Sequence, residues 1–76
     1  MNEATLKKIL GSIKAPAKGK FTIVTLTTKS KYYYTFNVSE SERQFSFDEE
    51  LPGVIRLDIE TGTRWVECSE IEAVEI

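Results

Sequence analysis

Leu6, Ile9, Leu10 and Ile13 recur at i, i+3, i+4 and i+7, which places them on one face of a helix. The spacing predicts a helix over residues 2–14. Asn2 suits the N-cap, Glu3 suits the first turn, and Lys7, Lys8 and Lys14 fill the opposite face. Gly11 weakens this helix, and Pro16 disfavours helical geometry at Ala15 and stops it. Three turns are marginal in isolation, so the apolar face must dock. Residues 15–20 (APAKGK) read as a basic linker.

From Phe21 the period changes to that of short strands separated by turn signals. Residues 21–28 are rich in β-branched side chains, and their apolar set slips register between Ile23 and Val24. That pattern predicts a strand buried on both faces or bent by a bulge. Lys29-Ser30-Lys31 makes a tight connection without glycine. Residues 32–38 alternate cleanly: Tyr32, Tyr34, Phe36 and Val38 inward, Tyr33, Thr35 and Asn37 outward. After the polar turn 39–43, Phe45 and Phe47 point inward from a short strand. Pro52-Gly53 ends an acidic loop. Ile55, Leu57 and Ile59 share the inner face of the next strand, and Gly62 serves a hairpin turn. Strands follow at 64–68 and 73–76, with one helical turn at 69–71. The predicted core is Leu6, Ile9, Leu10, Tyr34, Phe36, Phe45, Ile55, Leu57 and Val66.

The element order predicts an α+β, mainly β, single domain of 76 residues: a short N-terminal helix, then residues 21–76 as a five- or six-stranded, strongly bent antiparallel sheet or small partly open barrel. The ending Trp65-Val66-Glu67-Cys68-Ser69-Glu70-Ile71-Glu72-Ala73-Val74 resembles the strand, one-turn helix, strand close of SH3-like and Sm-like small barrels. The resemblance is architectural. The Sm-like glycine loops have no counterpart here, and no Arg-Gly pair precedes the last strand, so no RNA-binding residue carries over.

Composition removes most enzyme chemistry. Histidine is absent, which leaves no Ser-His-Asp or Cys-His arrangement and no common zinc site. No cofactor or metal is expected. Cys68 is the only cysteine and reads as a small buried hydrophobe in a reducing, cytoplasmic setting. No apolar run exceeds three residues, and the start lacks the pattern of a signal peptide, so no membrane association is expected.

The net charge of −2 conceals a division at Lys31. Seven lysines face Glu3 alone before it; three arginines face eleven carboxylates after it. Either the halves interleave on folding, or they form patches that steer partners. The carboxylates of Glu40, Glu42, Asp48, Glu49 and Glu50 form a candidate acidic rim for a basic groove on a protein partner. Trp65 either packs under the sheet or helix, or anchors a partner with Arg64 beside it. Lys29, Lys31 and Tyr33 offer phosphate contacts and base stacking for single-stranded nucleic acid. The expectation is therefore a small non-enzymatic interaction protein, with a nucleic-acid-binding small barrel as the alternative. Histidine-free domains of this size are common among phage-encoded proteins, which points to a phage or bacterial accessory or inhibitor role. A monomer or homodimer is expected, the dimer pairing the terminal strand at residues 73–76 across a two-fold axis.

Overall fold

The computed structural model describes residues 1–14 and 16–76. The expected helical stop at Ala15 lies outside the described residues. Helix α1 spans Glu3–Gly11. Asn2 caps it, its Oδ1 accepting the Thr5 N–H at 2.8 Å. The helix ends before Pro16 can act, because Ser12 closes it: the Ser12 N–H bonds the Lys8 and Ile9 carbonyls, and its hydroxyl donates to Ile9 at 2.7 Å. Ile13 lies beyond the helix and is still buried. Ile9, at the margin of the stripe, is only half-buried.

Six strands follow: β1 Phe21–Thr28, β2 Tyr33–Ser39, β3 Phe45–Phe47, β4 Val54–Ile59, β5 Gly62–Glu67 and β6 Ile71–Glu75. They form two three-stranded antiparallel sheets, β2-β1-β6 and β3-β4-β5, which do not close into a barrel. The β2–β3 corner links them through the Val38↔Arg43 pair and through Gln44, whose Oε1 accepts the Asn37 N–H at 2.8 Å. A 3-10 turn at Cys68–Glu70 separates β5 from β6, giving the strand, one-turn helix, strand close that the sequence suggests.

One apolar cluster serves α1 and both sheets: Leu6, Leu10, Ile13, Val24, Leu26, Phe36, Val38, Ile55, Leu57, Cys68 and Ile71. Tyr34, Phe45 and Val66 pack against its margin, half-buried.

Two expectations need correction. Tyr32 does not point inward; it precedes β2 and is 68% exposed. The hairpin closes one residue earlier than the alternation implies. Thr28 N–H bonds the Tyr32 carbonyl at 2.9 Å, and the buried Thr28 hydroxyl accepts the Tyr32 N–H at 3.1 Å. This three-residue loop needs a left-handed residue at its end, and Lys31 supplies it at φ 69° without glycine. In β1, Val24, Leu26 and Thr28 are buried while Phe21 and Ile23 stay exposed. The slip in its apolar pattern is a change of face, not burial on both faces. The bulge lies on β6, where Thr27 pairs with Ala73 but Thr28 pairs with Ile71, leaving Glu72 as the extra residue.

Candidate functional site

Two open clefts of similar size, about 610 and 600 Å³, mark the surface, so their linings decide between them. The first lies on the outer face of the β3-β4-β5 sheet. Strand register builds its floor: Ser46 pairs with Arg56, and Arg56 pairs with Trp65, so the three side chains form a row across the sheet. Trp65 is 59% exposed. Its phase is outward because Val66, its neighbour in β5, takes the inward position opposite buried Ile55. Burial under the sheet or against α1, the other role open to Trp65, is not what the structure shows.

The loop after β3 forms the wall. Asp48 Oδ1 accepts the Glu50 N–H at 2.9 Å, and the Asp48 carbonyl accepts the Leu51 N–H at 3.0 Å. This compact turn sets Asp48, Glu49, Glu50 and exposed Leu51 around the same groove as Trp65, with Phe47 alongside. The cation at Trp65 is Arg56, not the Arg64 expected beside it. The Arg56 guanidinium sits 5.9 Å from the indole centroid, and its Nε donates to Asp58 at 3.2 Å. Sequence reading missed Arg56 and Leu51. The signal for Arg56 was its outward phase in β4, which becomes informative only with the register to β5.

The five-carboxylate rim does not assemble as one unit. Glu40 and Glu42 turn to the second cleft, with Lys18, Lys20, Phe21 and Asn37. The Glu42 N–H donates to the Ser39 hydroxyl at 3.1 Å, and its carbonyl accepts the Ser39 N–H at 2.7 Å, which fixes that corner. Charges of both signs meet there.

Lys29, Lys31 and Tyr33 lie on the β2-β1-β6 sheet at the β1–β2 hairpin. Tyr33 is outward and 68% exposed, in a row with Thr27 and Ala73. Lys31 Nζ, however, pairs with Glu72 at 3.0 Å, and the Lys29 main-chain N–H bonds the Glu70 carbonyl at 2.9 Å. The basic hairpin is thus interleaved with acidic residues of the second half.

Cys68 is buried. Burial pushes its thiol up from the ordinary range, with the Glu3 carboxylate adding to the effect against weaker opposing contributions from the N-terminal ammonium and Lys7. That is the reverse of what an activated thiolate needs. Among the described residues, no group of three or more Cys, Asp or Glu side chains is placed to hold a metal ion. No described helix is long and apolar enough to cross a membrane. Compared with known protein families, with curated proteins and with solved structures, the chain matches none.

Proposed function

We propose that this domain is a non-enzymatic interaction module whose groove at Trp65 receives a basic protein surface bearing an apolar or aromatic side chain. One observation carries the reading: Trp65 and the Asp48–Glu50 carboxylates, far apart in sequence, line a single groove with Leu51. Tryptophan is enriched among interface anchors, because it buries a large area at little entropic cost. Carboxylates at its rim raise the encounter rate with a cationic partner and penalise an acidic one. The setting that fits this reading is a cytoplasmic accessory or inhibitor protein of phage or bacterial type.

The test is association kinetics on a partner captured with the wild-type domain. Reversing Asp48, Glu49 and Glu50 to lysine should slow association and flatten its salt dependence, while Trp65→Ala should speed dissociation. Unchanged kinetics in both variants would overturn the reading.

The exposure of Tyr33 favours a second reading, single-stranded nucleic acid on Lys29, Lys31 and Tyr33. The Lys31–Glu72 pair weighs against it. Under that reading the same triple reversal strengthens binding, because it removes repulsion of phosphates, and Lys29→Glu with Lys31→Glu weakens it.

A further inference from the structure

The longest open hydrogen-bonding edge in the fold is the outer side of β5. Strand β4 occupies its other side. Ile59 and Gly62 pair across a two-residue turn, and the Cys68 N–H bonds the Gly53 carbonyl at 2.8 Å. These contacts set the phase: Gly62, Arg64 and Val66 direct their main-chain groups at β4, and Thr63, Trp65 and Glu67 direct theirs away. Of the outward set, Trp65 and Glu67 are exposed and Thr63 is half-buried. The exposed Arg64 side chain donates to the outward Thr63 carbonyl at 3.2 Å, a contact a swing of that side chain releases, and no proline or bulge blunts the strand. The other edges are shorter or obstructed. β3 has three residues, β2 turns into the β2–β3 corner, and β6 has a bulge at Glu72 and the Met1 ammonium bonded to the Ile71 carbonyl at 2.9 Å.

We propose that β5 pairs antiparallel with β5 of a second copy of this chain, across a two-fold axis at Trp65. The register selects the occupant. With the axis at Trp65, each Trp65 meets its copy, Thr63 meets Glu67, and Arg64 meets Val66, so no like charges stand opposite. Moving the axis to Arg64 sets two guanidiniums against each other, which is unfavourable. Moving it to Val66 runs the pairing into the 3-10 turn at Cys68–Glu70, where the chain is no longer extended. The Trp65 axis also continues the Ser46–Arg56–Trp65 row into its copy, so that two indoles lie between two guanidiniums. An isologous pairing of this kind closes both open edges and stops at two copies. It joins the β3-β4-β5 sheets of the two copies into one of six strands, with both acidic grooves on the same face.

This inference is independent of the proposed partner, because assembly is measured on the domain alone. Light scattering and sedimentation over a concentration series should show a monomer–dimer equilibrium, with Trp65 emission shifting to the blue as dimer forms. Trp65→Lys sets two ammonium groups across the axis and should give monomer at every concentration. Thr63→Pro removes an outward N–H while sparing the β4 pairing, and should do the same with an unchanged far-UV circular dichroism spectrum. If one variant fails to fold, the other decides. A wild-type protein that stays monomeric to its solubility limit, or a dimer that survives in the folded variants, would overturn the proposal.

Discussion

The Arg56 guanidinium lies over the Trp65 indole, 5.9 Å from its centroid, because β4 and β5 pair in the register that sets the two residues opposite each other. Asp58, two residues along β4, holds the same guanidinium at 3.2 Å. The groove thus has a built-in cation on its aromatic residue, and an incoming cation competes with it. Arg56→Ala should cost less than about 1 kcal/mol of stability, as an exposed cation–π contact does. It should also alter the Trp65 emission spectrum and speed association with a basic partner. Unfolding curves, fluorescence and association kinetics check the three effects together.

The helix is part of the core and not an appendage. Leu10 is fully buried in the cluster that both sheets share. Leu10→Ala should destabilise the domain by about 2–5 kcal/mol in urea unfolding. A loss below about 0.5 kcal/mol would show that α1 docks only weakly.

Strand β1 offers a test of register within one element. Ile23 and Leu26 are both aliphatic, yet only Leu26 is buried. Leu26→Ala should cost about 2–5 kcal/mol. Ile23→Thr should fall within about 0.5 kcal/mol, since threonine keeps the branched shape that suits an exposed strand position. Similar losses at the two sites would contradict the register with β2.

Cys68 links stability to alkaline pH. Its thiol is raised in the folded state, chiefly by burial. The folded chain therefore holds the proton longer than the unfolded chain, whose thiol titrates near about 8.5. The stabilisation is complete below that value and falls as pH rises through the folded-state pKa. The stability advantage of wild type over Cys68→Ala should accordingly shrink as pH rises above about 8.5. A thiol reagent should react with Cys68 only on unfolding.

The elements that local chemistry determines were legible in the sequence. The Asn2 cap, the inward Ile55 and Leu57 of β4, and the turn at Gly62 each follow from residue type and spacing. Tyr32 was misplaced because the Thr28 hydroxyl takes its N–H and ends the ladder, a bond that alternation cannot register. The apolar slip in β1 left burial on both faces or a bulge open, because an apolar side chain in a strand carries no label for its face, and Phe21 and Ile23 prove exposed. For the site, the outward Trp65 and the acidic turn were each visible, but not their meeting. Their proximity depends on the β3-β4-β5 register, whereas Glu40 and Glu42 are held in the β2–β3 corner, at the other end of β3 from that turn.

The antiparallel pairing of β1 with β6 has a kinetic consequence. Thr25 pairs with Glu75 and Thr28 with Ile71, so the first sheet cannot be completed until the whole of the second has been synthesised. During synthesis the β1–β2 hairpin forms early but presents a bare edge along Thr25–Thr28. Loop closure over so long a stretch is entropically costly before any contact offsets it. Folding should therefore be a late, single event for the full chain, in the millisecond-to-second range of domains dominated by distant strand pairing rather than the microseconds of a helical bundle. Until β6 arrives, that bare edge is where a nascent chain is most exposed to pairing with its neighbours.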